Sequence, residues 1–536
     1  MPPGSSPGLF EEIPVQVPRA RSLDMFSTKR RKTPSVDTPS SHEDDFESYA
    51  TGLLPDQRRA AIDIITAGRH VYMSGPPGTG KTFIVKALHD FYRGKGAFIT
   101  ILSPRCLALR ELQRLFPSAR TFQSYTCNGD MKKLIKRVKQ FPGDYQPKKA
   151  GGLMVWIVDE VVVLSALELD FFRRAVAEIA RGAIKIIFIG DNAQLESVDP
   201  RCCLSSHYFS VSGGPAALGL VQGPGLIVRT DSKMHRKLIL NLRNAVDPDK
   251  PATFAAKLLE DMSARGPPKW ATAPLQENVT RLMTTHREVA DQRELVLQYA
   301  QNAKLATLRI KPIGKKLTTP DRYIHTCRLV ANRRAIVTAN VMIDGRRFVN
   351  GEAVVVVSWG SFEDPTPPGA PSTMNTQAGI DPDFCVWIQL PHSSAADTLR
   401  RVKPITADNV LQFPLAMASV LTGNKVQGIT ATRGEKFVIY FGPRIDPGFL
   451  VVALSRMHIP GDEDISDWFY VYNLPRGSVL EATKKLQRWW PFFQRYLRAP
   501  AAAAAPRRVG AELPAAPFRE LKRKATPKSP PKGLTA

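Results

Sequence analysis

The chain has 536 residues, with 74 Lys and Arg against 49 Asp and Glu, a formal net charge of +25 at pH 7. The stretches 1–48 and 498–536 hold 15 of those basic residues and 10 of the acidic ones, so the body between them keeps an excess of +20. That excess favours a polyanion as partner, nucleic acid first, because each neutralised phosphate releases a counterion. A length of this size allows about three or four domains, and no apolar run approaches the roughly 18 residues of a membrane span.

Residues 1–48 are rich in Pro, Ser, Thr and charge. They are expected to form a disordered arm, since they have too little apolar surface to offset the entropy of ordering. Glu11 and Glu12 stand where a signal or transit peptide avoids acid, so a soluble, intracellular chain without membrane contact is expected. From about residue 48 the texture changes. Residues 57–67 have helical spacing, 70–73 form a short strand and 81–92 are helical again. The apolar runs 97–102, 153–158 and 184–189 each end in a polar cluster, which predicts a parallel sheet with functional loops at its strand C-termini. This gives a first α/β domain over 49–242.

A second α/β region is expected over 243–345 and 411–497, with helices at 251–265 and 287–300. Between them, 346–410 reads as an inserted antiparallel β module, with strands at 347–359 and 384–390 around a Pro/Gly-rich turn at 365–371. The runs 437–441 and 449–454 read as buried strands and 479–497 as a closing amphipathic helix. Residues 498–536, with Ala/Pro runs and basic clusters, predict a second disordered tail. The six cysteines form no CxxC pair and have no His at zinc-ligand spacing, so they are expected to be reduced and mostly buried.

Residues 75–82 read GPPGTGKT between a predicted strand and a predicted helix. Gly75, Pro76, Pro77, Gly78, Thr79 and Gly80 form the loop around the phosphates, and its glycines let backbone N–H groups curl towards them. Lys81 can reach the β/γ oxygens and the Thr82 hydroxyl can hold Mg²⁺. ATP and Mg²⁺ are therefore the expected cofactors. Asp159 and Glu160 close the apolar strand 153–158, where Asp159 suits the metal's water shell and Glu160 suits polarisation of an attacking water. Gly190, Asp191 and Gln194 follow the strand 184–189, and a strand-end amide such as Gln194 can sense the γ-phosphate.

Together with further motifs in order, these residues resemble the superfamily 1 helicases of the PIF (petite integration frequency) and RecD-like group, from about residue 53 to 467. LPDQ at 54–57 resembles the adenine-reading motif, in which Gln57 would grip the base edge. TFQSY at 121–125 resembles the strand-binding motif, placing Thr121, Gln123 and Ser124 on nucleic acid. LRN at 242–244 makes Arg243 one arginine finger, and VVALSR at 451–456 makes Arg456 the second. FVNGE at 348–352 resembles the turn opening the family's SH3-like insertion. FPLAMASVLTGNKVQGIT at 413–430 places Asn424 and Lys425 on the strand. The chain departs from the family at SPRCLALREL in motif Ia, and at Gln123, Asn424 and Val426, where the family has His, His and Ser. All of these departures belong to the nucleic-acid face.

The resemblance implies an α/β fold of two RecA-like parallel-sheet domains with the inserted module, and an ATP-dependent DNA helicase moving 5′ to 3′ in replication, repair or recombination. Single-stranded DNA and duplex junctions are the expected partners, RNA-containing duplexes a further class, and the chain is taken as a monomer. The basic stretch from Lys132 to Lys149, within 126–150, falls where the family carries a pin or wedge. Phe122, Tyr125 and Trp359 are candidate stacking surfaces. KRRK at 29–32 and KRK at 522–524, beside Thr-Pro and Ser-Pro pairs, read as nuclear-import signals, of the host nucleus if the chain is viral, or as loose nucleic-acid tethers, against the plainer reading of a solvated charge run. The rival readings are a viral-type superfamily 1 RNA helicase and a non-catalytic ATP-binding scaffold.

Overall fold

The computed structural model describes residues 45–497 apart from 68–69, 148–150, 198–200, 210–217, 277, 314–325, 364–372, 377–382, 392–398, 408–409, 428–430, 432–433, 442–445 and 462. Both predicted tails therefore lie outside the described residues, except for 45–48. There Phe46 is fully buried and meets Phe91 edge-on at 5.6 Å, so the domain begins before residue 49. A single aromatic in a charged stretch has no period by which to announce itself.

The first domain is a six-stranded, wholly parallel sheet of β1 (His70–Ser74), β2 (Phe98–Ser103), β3 (Arg120–Thr121), β4 (Met154–Val158), β5 (Ile184–Gly190) and β6 (Gly219–Gln222). Its strand order is β3-β2-β4-β5-β1-β6. Helices cover both faces, which is why β4 is apolar throughout and β5 is apolar apart from Lys185, whose ammonium donates to the Ile64 carbonyl at 2.6 Å. The crossovers carry the chain right past the C-terminal edge, where the loops after β1, β2, β4 and β5 converge.

The second domain has a four-stranded parallel sheet in the order Val420–Thr422, Val279–Met283, Lys436–Tyr440, Phe469–Tyr472. Helix Lys233–Asn244 packs Leu238, Ile239 and Leu242 into this core, so the boundary falls before 233 rather than at 243. The inserted module is a five-stranded antiparallel sheet, and it recruits Arg334–Val337 and Leu415–Met417 from outside the expected 346–410. Those two strands are short and pair with each other across the insertion, which only the folded chain reveals.

Two further expectations fail. Residues 449–454 are not a strand but part of the helix Pro447–Ser455, every residue of which is buried. Such a helix shows no amphipathic period, and its Val-rich run mimics a buried strand. The closing segment breaks into Ser478–Lys484, a 3₁₀ turn Lys485–Trp489 and Trp490–Leu497. Its first part packs on the second domain, whereas Trp489 and Phe492 enter the core of the first. None of the six cysteines is in a disulfide, and no described helix is long and apolar enough to cross a membrane.

Candidate active site and nucleic-acid groove

The loop 75–82 leaves β1 and feeds directly into helix Lys81–Gly94. Gly78 and Gly80 adopt φ of +75° and +78°, the left-handed region that a side chain resists, and a Cβ on Gly78 would lie 2.7 Å from that of Arg229. The Lys81 ammonium donates to the carbonyls of Gly75 and Pro76 at 3.0 and 2.8 Å. Burial pulls its pKa down, and Asp191, Glu160 and Asp159 oppose that shift. A cation desolvated in this way gains from an anion delivered to it. Thr79 is buried with its hydroxyl on Pro76, and Thr82 sits half-buried one residue past Lys81.

Gln57 is buried and uses both ends of its amide: Oε1 accepts from the Leu54 N–H at 3.0 Å and Nε2 donates to the Thr79 carbonyl at 2.8 Å. It therefore holds the phosphate loop to helix Pro55–Thr66, with one acceptor lone pair and one amide proton left for a base edge.

Asp159 and Glu160 follow β4 directly. Asp159 accepts the Glu160 N–H at 3.0 Å, and Glu160 has φ +53°, a conformation rare for a non-glycine residue and typical of strained functional positions. Burial, followed by repulsion from Glu160, raises the Asp159 pKa, with Lys81 opposing. A carboxyl disfavoured in this way suits a site that a divalent cation would share. Among the described residues no cluster of three or more His, Cys, Asp or Glu forms a metal cage. The donor set of Thr82 and Asp159 fits Mg²⁺, which takes most of its ligands from water and phosphate.

The second domain closes over this site. Arg243 donates through Nε to Asp191 Oδ1 at 3.0 Å and through Nη2 to Ser74 Oγ at 2.9 Å. Arg456, the C-cap of helix Pro447–Ser455, donates through Nη2 to Gln194 Oε1 at 3.0 Å. Burial lowers the Arg456 pKa, and Glu160 and Asp191 hold it up. Its Nε is buried without a hydrogen-bond partner among the described residues, as expected of a donor that awaits a phosphate oxygen.

A groove runs along the other side of the interdomain contact. A cavity of about 300 Å³ is lined by Arg105, Cys106, Asn350, Asn424, Lys425 and Gln427 among others. A neighbouring cavity of about 100 Å³ shares His286, Thr422 and Lys425 with it and adds Arg293 and Arg328. Lys425 donates to Asn350 Oδ1 at 2.5 Å; burial, with Arg293 and Arg105 facing it, pulls its pKa down to about 8. The module turn at Asn350 and Gly351 reaches the first domain, where Glu352 pairs with Arg110. Thr121 lies beside Ser103 in the β3–β2 pairing, and its hydroxyl caps the turn by accepting from the Ser124 N–H at 3.1 Å. Gln123 donates to Glu168 at 3.2 Å, while Asn424 is exposed and offers its backbone carbonyl to Arg105. The structure thus gathers Asn424 and Lys425 with Arg105, and sets Thr121 at the end of β3 and Ser124 in the short helix Phe122–Tyr125 that follows it.

Phe122, Tyr125 and Trp359 are core residues, 1%, 0% and 5% exposed, and present no stacking face. Helix Met131–Gln140 carries Lys132, Lys133, Lys136 and Lys139 exposed, with Leu134 as its buried anchor. Lys148 and Lys149 lie outside the described residues.

Residues 52–244 match the AAA domain family. No curated protein sequence matches the chain. Among solved structures, the Pif1 helicase of Candida albicans superposes with a TM-score of 0.58 at 19% identity, covering 83% of this chain and 99% of that one. A Pif1 structure described for unwinding of forked duplex DNA by two coordinating helicases gives 0.52 at 16%, covering 82% and 98%. Bacteroides Pif1 in complex with ADP-AlF3 and single-stranded DNA gives 0.51 at 16%, covering 82% and 98%. The chain has the Pif1 helicase fold.

Within this Pif1 fold, two cleft residues escaped the sequence reading. Arg229 donates to the Ser455 carbonyl at 3.0 Å while its own N–H lies on Gly78 O at 3.2 Å, tying the phosphate loop to the end of the Arg456 helix. It lies in a loop after β6 with no pattern around it. Arg105 sits just past β2, and its strand-end position in a parallel sheet is a signal that could have singled it out.

Proposed function

We propose that the chain is an ATP- and Mg²⁺-dependent DNA helicase that moves 5′ to 3′ along a single strand. The observation that carries this reading is the closure of the cleft: Arg243 and Arg456, both on the second domain, end on Asp191 and Gln194 beside the phosphate loop, and the same domain lines the groove with Lys425. Lys81 would leave its two carbonyls for the β/γ oxygens, and Glu160 would orient the attacking water. Arg243 and Arg456 would stabilise charge that develops only when the domains are closed. Thr82 and Asp159 would hold Mg²⁺, which neutralises phosphate charge. Because the arginines and the groove ride on one body, a change at the γ-phosphate moves the strand contacts as well.

The forked duplex DNA of one Pif1 structure and the ADP-AlF3 and single-stranded DNA of the Bacteroides one support strand and junction binding here. The exposed lysines of helix Met131–Gln140 suit a duplex junction. We extend the reading to a monomer in the nucleus, acting in replication, repair or recombination, with RNA-containing duplexes as further substrates. The decisive test is unwinding of DNA and RNA duplexes bearing 5′ or 3′ tails. ATP-dependent separation of the 5′-tailed DNA is expected. Separation of RNA alone would replace this reading with an RNA helicase, and absence of ATP turnover on any strand would leave a scaffold.

A further inference from the structure

Arg105 joins the groove to the ATP cleft. Its Nη1 donates to the Asn424 carbonyl at 2.8 Å and its Nη2 to Gln427 Oε1 at 2.8 Å, so one planar fork spans the two domains. Gln427 is buried and turns its Nε2 to Gln194 Oε1 at 3.5 Å, a long contact. That same oxygen accepts Arg456 at 3.0 Å. Gln194 is thus shared between a finger that must act on the γ-phosphate and an amide whose orientation Arg105 sets. At the other end, Arg105, Asn424, Lys425 and Gln427 line one cavity.

The chemistry of the groove end is unequal. The Asn424 carbonyl is a neutral acceptor, whereas a strand phosphate drawn in by Lys425 is a charged one that offers the guanidinium an ion pair as well as a hydrogen bond. A phosphate in the groove therefore competes for Nη1 and swings the fork. Gln427, held at Nη2, must follow, and its hold on Gln194 changes with it.

We propose that Arg105 is a positioning residue that reports strand occupancy, through Gln427 and Gln194, to Arg456. The inference rests on the reading of the chain as a strand-stimulated ATPase and names the residue that transmits the stimulation. It also gives a role to one departure in SPRCLALREL. A contiguous line of hydrogen bonds is a route for coupling only if its members fail together, and the experiment is built on that requirement.

The experiment measures ATP turnover of the full chain, with and without saturating oligo(dT), for wild type, Arg105→Ala, Arg105→Lys, Gln427→Ala and the Arg105→Ala/Gln427→Ala double variant. Oligo(dT) affinity and thermal melting are followed in parallel. The ratio of stimulated to basal turnover should fall about tenfold or more in Arg105→Ala and in Gln427→Ala, with no further fall in the double variant. Arg105→Lys should recover strand affinity but not the ratio, because an ammonium cannot bridge two acceptors as a fork does. Full recovery of the ratio by Lys, or multiplicative losses in the double variant, would overturn the relay while leaving the helicase reading in place. A wild type that no strand stimulates would overturn both.

Discussion

Lys81 and Glu160 both face the phosphate loop, yet their removal should separate binding from chemistry. Lys81→Ala takes away the charge that compensates phosphate, so it should weaken ATP binding and abolish turnover. Glu160→Gln should hold ATP affinity within about threefold and lower kcat by about 10²–10⁴, the range of a lost general base. Titration with a fluorescent ATP analogue, run beside steady-state turnover, checks both. Lys425 offers a pH signature: its pKa is brought down to about 8, and only its protonated form pairs with a phosphate. Strand affinity should therefore fall as pH rises through about 8 and level off below about pH 7, whereas Lys425→Arg, which stays charged, should flatten that part of the profile. Anisotropy of a labelled oligonucleotide reads the slope. Residues of this kind differ in how plainly the sequence displays them. Lys81, Asp159 and Glu160 sit in contiguous patterns whose chemistry is local. Arg105 and Arg229 bond to residues 319 and 226 positions away, so their role exists only once the domains have closed.

The helix Pro447–Ser455 shows the same division among elements. Four of the six parallel strands of the first domain, β1, β2, β4 and β5, are legible because apolar runs of strand length are bounded by Gly, Ser and Asp, whereas the short β3 and β6 carry no such run and are not among the expected elements. The run 449–454 has that texture too, but Pro447 at the first turn and the Asp446 carboxylate accepting from the Gly448 N–H at 2.7 Å start a helix. This helix delivers Arg456, and its first turn is pressed on the first domain: a Cβ on Gly448 would lie 2.6 Å from the Gln194 backbone. Gly448→Ala, although favourable to helix propensity, should force that helix off the loop that carries Gln194. Turnover should drop about tenfold or more, with ATP affinity and circular dichroism close to wild type, as for a transition-state group moved by about 1 Å. Wild-type turnover in this variant would mean that the approach is looser than the geometry implies.

At the scale of the molecule, the net +20 of the body should make strand affinity steeply dependent on salt, with a log–log slope of about −0.7 for each phosphate neutralised. A slope near zero from the same anisotropy measurement would remove the electrostatic account of binding. The path of the chain sets a further constraint. It leaves the first domain near residue 230, builds the second domain around the inserted module, and then returns. Trp489 is fully buried, stacks on Tyr72 of β1 at 6.1 Å between centroids and donates to Glu196 Oε1 at 2.9 Å, while Arg488 pairs with the other oxygen of that carboxylate. Tyr72 lies two residues before the end of the strand that feeds the phosphate loop, and Glu196 lies two residues after Gln194. The returning 3₁₀ turn is therefore part of the wall behind the ATP site, even though the second domain precedes it in sequence. Trp489→Ala should cost the first domain about 3–5 kcal/mol, the range for deleting a large buried aromatic. Trp489→Phe, which keeps much of the packing and loses the N–H bond to Glu196, should cost less, about 1–3 kcal/mol. Nucleotide binding followed through a urea titration reads the first domain selectively, and its midpoint should fall in that order. An unchanged midpoint for Trp489→Ala would show that the returning segment lies on the first domain without holding it together.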